Sequence, residues 1–147
     1  MDNIGTIQDE LVKILDHWQA STRHVAAQID PALGPQGMLI LSRLVRFGPA
    51  RLTDLAEYFS VGKPTMSRQV KTLESLHLVL RKGSEADARN IFFSATKEGE
   101  RKFIRARGAD WRWRREQLSS WDADELRRFA DFLRRFGDIE SRYPSRQ

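Results

Sequence analysis

Apolar side chains open the chain at steps of three and four: Ile4, Ile7, Leu11, Ile14 and Trp18, continuing through Val25 and Ile29. That spacing predicts one long amphipathic helix ending near Ile29. Asp30-Pro31 ends it, because proline disfavours helical geometry in the residue before it. After the linker Pro31-Ala32-Leu33-Gly34-Pro35, an apolar segment predicts a helix over Gln36–Phe47, stopped by Gly48-Pro49. A short helix follows near Leu52, with Thr53 as the expected N-cap and Leu55, Ala56 and Phe59 facing inward. Ser60-Val61-Gly62 has room only for a turn. The next helix is expected over Lys63–His77, with Pro64 tolerated in its first turn, where N–H groups lack intrahelical partners. Met66, Val70 and Leu73 form its inward stripe, and Pro64, Arg68, Lys71 and Ser75 lie on the other side.

The period then shortens. Leu78–Arg81 and Ile91–Ser94 read as two strands of a hairpin, joined by the polar stretch Lys82–Asn90 with Gly83 supplying turn freedom. A hairpin this small needs the helices to pack against. A long helix is expected from Thr96, as cap, to about Ser119, locally weakened by Gly99 and Gly108. Asp122, with Glu125 three residues on, predicts a capping box for a final helix carrying Leu126, Phe129, Leu133 and Phe136. The fold class is therefore mainly α with a small β-hairpin wing. A helix, a three-residue turn and a second helix with a polar outer face match the helix-turn-helix pattern.

Charge sharpens this picture. The net charge is +5, but residues 1–59 carry five basic and seven acidic groups, whereas 60–92 carry six and three and 93–119 carry eight and four. The positive excess thus lies between residues 60 and 119, where a polyanionic partner should be sought. Arg outnumbers Lys nineteen to six, which suits bidentate recognition of phosphate and guanine. The absence of Cys excludes disulfides and thiolate chemistry. No metal site is expected: His17 and His24 are two helical turns apart, too far for one ion, and His77 is remote in sequence. No cofactor is expected either. There is no Gly-rich phosphate loop, no Gly-x-Ser-x-Gly elbow and no paired-carboxylate site, so the chain does not read as an enzyme. With no signal-peptide pattern in MDNIGTIQDE and no bilayer-length apolar run, a soluble, cytoplasmic protein without membrane partners is expected.

Four local motifs carry a resemblance: Leu55-Ala56 entering the turn; Val61-Gly62-Lys63-Pro64-Thr65-Met66-Ser67-Arg68 opening the second helix; Asp87-Ala88-Arg89 in the hairpin; and Ala95-Thr96-Lys97-Glu98-Gly99 at the strand-to-helix junction. In this order and spacing the chain resembles the MarR family of winged helix-turn-helix transcriptional regulators over nearly its whole length. Two positions depart from the pattern: Gly62 stands where a Ser cap is common, and His77 where a small residue or Gly is. The resemblance implies one domain, 1–147, in which 36–96 form the winged helix-turn-helix module and 1–30 and 97–147 are dimerisation helices interleaved with those of a second chain. The apolar stripes of both terminal helices, neither part of the helix-turn-helix core, independently favour such a homodimer over the alternative, in which they pack on each other within one chain.

The expected partner is double-stranded DNA. Lys63, Thr65, Ser67 and Arg68 occupy the first two turns of the recognition helix, where base edges are met. Arg68 suits a bidentate guanine contact, Thr65 and Ser67 hydroxyl contacts, Pro64 a thymine methyl, and Lys71 and Arg81 phosphate. Arg89 resembles the family residue that enters the minor groove, with Asp87 orienting it or bracing the hairpin. The resemblance also implies a small aromatic or phenolic effector, for which Trp18, Met38 and Trp111 are candidate lining residues and Arg107 a partner for an anionic group. The competing reading is a winged-helix protein-interaction or assembly module that does not select DNA sequence.

Overall fold

In the computed structural model, residues 2–83 and 86–143 are described; they form two compact units, the first ending at Asp110 and the second beginning at Trp111. Residues 84 and 85 of the expected Lys82–Asn90 loop, and 144–147 of the expected domain, lie outside the described residues.

Helix α1 spans Asn3–Ile29, with the Asp2 carboxylate accepting from the Ile4 N–H at 3.2 Å. Only its last turns are buried, through Thr22, Val25, Ala26 and Ile29. The earlier stripe stays in solvent: Ile4 is 72% exposed and Ile14 53%. Helices α2 (Pro35–Phe47), α3 (Leu52–Tyr58) and α4 (Lys63–Ser75) follow. Their inward side chains Met38, Ile40, Leu41, Leu55, Met66, Val70 and Leu73 close a dry core with Val25 and Leu78.

The α3–α4 turn has a defined hydrogen-bonded form. Ser60 adopts the left-handed region at φ 52°, its N–H donates to the Glu57 carbonyl at 3.1 Å, and Val61 donates to Ala56 at 3.0 Å. These two bonds make a Schellman motif, which satisfies carbonyls that the end of α3 would otherwise leave open. Helix α4 ends the same way: His77 has φ 59°, and the N–H groups of His77 and Leu78 donate to Glu74 and Leu73, each at 3.0 Å. This position would suit Gly better than His, since a left-handed residue costs least without a Cβ. It also ends the recognition helix two residues before the expected His77.

Strands β1 (Val79–Lys82) and β2 (Phe92–Ala95) pair antiparallel, with Arg81 opposite Phe93 and Lys82 opposite Phe92. Each begins one residue later than expected, because Leu78 completes the end of α4 and Ile91 closes the short 3-10 turn Ala88–Asn90. Gly83, at φ 122°, faces the Asn90 backbone so closely that any Cβ would collide with its carbonyl oxygen. Ala50 adds a third strand one residue long. Its N–H donates to the Phe93 carbonyl at 3.0 Å and its carbonyl accepts from the Phe93 N–H at 2.8 Å. Because this pairing keeps Ala50 extended, α3 starts directly after Arg51. Arg51 is the N-cap residue, and Thr53 lies inside the helix rather than capping it.

Helix α5 (Lys97–Leu118) leaves the wing through a tight joint. The Thr96 hydroxyl accepts from the Gly99 N–H at 2.9 Å, as the expected cap, and donates to the His77 carbonyl at 2.7 Å. The Thr96 N–H donates to the Leu78 carbonyl at 3.0 Å. Gly99 packs on the Leu78 peptide, where a Cβ would strike the carbonyl oxygen and carbon. In the second unit, Asp122 and Glu125 form the expected capping box of α6 (Ala123–Glu140), and Trp121 meets Phe129 edge-to-face at 5.4 Å. Helix α6 buries none of its side chains; Phe132, Leu133 and Ile139 are all more than half exposed.

The joint makes a direct prediction. Gly99→Ala should lose about 1–3 kcal/mol of stability by overpacking against backbone that cannot rotate away. Gly137→Ala in α6, where nothing lies within 4 Å of the added Cβ, should be neutral or stabilising by up to about 1 kcal/mol. Urea midpoints of the two variants decide this. Equal effects would show that the Leu78 contact does not constrain position 99.

Candidate nucleic-acid interface

The recognition helix places its polar side chains by the same periodicity that buries Met66, Val70 and Leu73. Lys63, Pro64, Arg68 and Lys71 are exposed, and Thr65 and Ser67 are half-buried along the margin of that face. Gly62 begins the helix in extended geometry (φ −68°, ψ 152°) with no side-chain cap. The first N–H groups are therefore left open to a ligand or solvent, and Pro64 removes one of them. Arg68 forms no salt bridge among the described residues; its Nη2 lies 3.5 Å from Thr65 Oγ1, a long contact that leans the guanidinium toward the helix start. The Thr72 hydroxyl bonds back to the Arg68 carbonyl at 3.2 Å, which leaves the Arg68 side chain untouched.

In the wing, Asp87 is engaged within the hairpin. One carboxylate oxygen accepts from the Arg89 N–H at 3.1 Å, the other from Asn90 Nδ2 at 2.6 Å, and the Asp87 carbonyl accepts from the Asn90 N–H at 3.0 Å. An aspartate that bonds its own backbone two residues on holds a turn without needing further support. It thereby fixes the backbone that carries the exposed Arg89.

A groove of about 410 Å³ runs between the start of α3 and the wing, lined by Arg51, Leu52, Arg81, Arg89, Ile91 and Phe93. It brings the two expected wing arginines, Arg81 and Arg89, to one place, and joins to them a third that sequence reasoning passed over. Arg51 stacks over the Phe92 ring at 5.0 Å, and Arg81 over Phe93 at 5.8 Å. Nothing in the local sequence marks Arg51, because the Ala50–Phe93 pairing that positions it is non-local.

The four residues expected near an effector are distributed unevenly. Trp18 and Arg107 meet, with the guanidinium 5.6 Å from the indole. Arg107 is already ion-paired to Asp110 at 3.6 Å, and Asp110 accepts from the Ser21 hydroxyl at 3.0 Å, tying α5 to α1. Met38 is fully enclosed in the core, and Trp111 belongs to the second unit, 47% exposed with Arg114 over its ring at 5.5 Å. Among the described residues no helix is long and apolar enough to cross a membrane.

Comparison with known proteins agrees with this architecture. The MarR family model matches residues 34–91, from the start of α2 through the wing turn. The uncharacterized HTH-type transcriptional regulator YxaD of Bacillus subtilis is 37% identical over 96 residues, covering 65% of this chain and 66% of the relative, just under two thirds of its length. Among solved structures, Staphylococcus aureus MarR in complex with salicylate and kanamycin superposes with a TM-score of 0.81 at 15% identity, over 95% of this chain and 93% of that one. A MarR transcriptional regulator from Methanosarcina mazei gives 0.74 at 20% identity, over 95% and 99%. A MarR family protein from Bacillus stearothermophilus gives 0.74 at 21% identity, over 97% and 100%. Such identities establish the fold, and they extend it to the terminal helices that the family model does not reach. With the helix-turn-helix, the wing and the flanking helices all in place, the chain has the MarR winged-helix fold, and its residues 34–91 match the MarR family model.

Proposed function

We propose that the protein is a sequence-specific double-stranded DNA-binding transcriptional regulator that acts as a repressor. One observation carries this reading. Helix α4 turns Lys63, Arg68 and Lys71 to solvent, with Thr65 and Ser67 beside them, directly opposite three fully buried residues. A helix held so firmly on one side, with an uncapped start and solvent-facing cations on the other, suits insertion into the major groove. Arg68 reads guanine, Thr65 and Ser67 bond base edges or phosphate, Pro64 meets a thymine methyl, and Lys63 and Lys71 anchor the backbone. Arg89, held by Asp87, enters the adjacent minor groove, with Arg81 on phosphate.

The working species is a homodimer. In the first unit Ile4, Ile7, Ile14, Leu15 and Trp18 form an exposed apolar stripe on α1, and in the second Phe129, Phe132, Leu133 and Ile139 do so on α6. A second chain covers both, as large exposed apolar patches on a soluble protein ordinarily mark interfaces. The dimer sets two recognition helices in successive major grooves of a pseudo-palindrome, with half-site centres about 10 bp apart. A small aromatic effector fits the Trp18–Arg107 pair of the first unit, with Met38 reached only from within the core. The complex of S. aureus MarR with salicylate supports that ligand class.

Four outcomes test these readings. Arg68→Ala should cost about 1–3 kcal/mol of operator binding and relax preference at one base pair; a uniform loss across all sequences would make Arg68 a phosphate contact. Wild-type affinity for operators selected from a random pool should exceed that for random duplex and fall steeply between about 50 and 200 mM salt. A ratio near one would favour the interaction-module reading. Ile14→Glu should convert a sedimenting dimer to monomer and abolish operator binding at the same concentration. For the effector, titration with salicylate should quench tryptophan fluorescence and release DNA together; quenching without release would sink ligand control.

A further inference from the structure

The groove between α3 and the wing gathers three arginines, of which Arg51 lies outside both the recognition helix and the wing. The pairing of Ala50 with Phe93, through two hydrogen bonds of 3.0 and 2.8 Å, locks the backbone immediately before Arg51. Arg51 then adopts extended geometry (φ −77°, ψ 157°), and its guanidinium settles 5.0 Å over the Phe92 ring. Stacking on an aromatic face restrains a side chain that would otherwise lose much rotamer freedom on binding, and leaves its N–H edges available. Among the described residues lining the groove, every charged group is an arginine: Arg51, Arg81 and Arg89. The remaining walls are Leu52, Thr53, Ile91 and Phe93, so the cations stand around a mostly apolar floor with one hydroxyl residue beside it.

We propose that Arg51, stacked on Phe92, is an anchor for a backbone phosphate of duplex DNA. This rests on the DNA-binding reading and deepens it. The groove's chemistry matches one sugar–phosphate unit: guanidinium forks for the phosphate oxygens and apolar contacts for the deoxyribose face. Its position makes the match specific to DNA, because Arg89 lines the same groove and projects from the wing. Because both side chains line one groove, a duplex whose minor groove receives Arg89 would bring a flanking phosphate toward Arg51. Arg51 therefore contributes affinity without sequence preference, in contrast to Arg68. Phe92 acts as a positioning residue, touching no DNA itself.

The experiment is fluorescence anisotropy on the full chain, with a selected operator and a random duplex, across about 50–200 mM KCl. Arg51→Ala should weaken both duplexes by roughly tenfold at moderate salt and lower the slope of log affinity against log salt by about 0.9, the amount expected for one lost phosphate contact. The ratio of operator to random affinity should not change. Arg51→Lys, which keeps the charge, should keep the wild-type slope, and Phe92→Leu should weaken binding several-fold with the slope retained. An Arg51→Ala slope equal to wild type overturns the proposal, as does a loss confined to the operator or an Arg51→Lys slope as low as that of Arg51→Ala. Should wild type bind the two duplexes equally, sequence-specific regulation fails while the slope comparison still decides the phosphate anchor. Failure of wild type to bind any duplex would remove both.

Discussion

The peptide joining His77 to Leu78 is where the recognition helix, the wing and the long α5 helix meet. Leu78 N–H closes α4 by bonding to Leu73, and Leu78 O accepts from Thr96 at the base of the wing. The His77 carbonyl takes the Thr96 hydroxyl, and that same hydroxyl accepts from Gly99 in the first turn of α5. No side chain longer than hydrogen fits at position 99, since the Leu78 backbone already occupies the space. A short chain of hydrogen bonds thus fixes the ends of three elements against one another. Buried backbone groups must be paired wherever helices and strands terminate, and here one set of bonds satisfies three termini together. The early turns of α5 are thereby held against the end of α4 with little slack, as close packing in protein interiors requires.

Two kinds of charge follow from this frame. On α4 the cations stand on a helix, so each is tied to a fixed rise and rotation, which allows a side chain to register against a base edge. In the wing groove Arg51, next to a one-residue bridge, and Arg81, on a strand, lie over aromatic rings, positions suited to following a backbone. The positive excess between residues 60 and 119 contains both kinds without separating them, and Arg51 falls outside it altogether, in the net-acidic stretch 1–59. Net charge by segment locates a field; it does not say which cations share a groove.

Much of this fold is legible in the sequence, because its helices are governed by local periodicity. The stripe Met66, Val70, Leu73 is buried as its spacing requires, and Asp122 with Glu125 makes its capping box within four residues. Proline and glycine mark the ends of α1 and α2 for reasons that act within a residue or two. The candidate site on α4 shares this locality: once Met66 faces inward, Arg68 and Lys71 must face outward. Asp87 is legible for the same reason, since an aspartate closing a turn two residues ahead bonds its own backbone.

What escapes the sequence depends on contacts between distant segments. Ser60 and His77 carry no sign of left-handed geometry, because neither is glycine; the termination bonds of α3 and α4 impose it. Thr53 has the chemistry of an N-cap but not the position, since pairing with a residue more than forty positions away decides where α3 begins. One residue of strand has no period to detect, so Gly48-Pro49-Ala50-Arg51 reads as a plain loop. The consequence is specific. A side chain becomes a preorganised cation when its backbone is held and its rotamer is stacked, and at Arg51 both conditions are supplied by β2, through Phe93 and Phe92 respectively. Adjacent residues of one strand point to opposite faces. The strand therefore buries Phe93 while offering Phe92, on its other side, to the arginine, so one strand holds Arg51 both by its backbone and by its side chain.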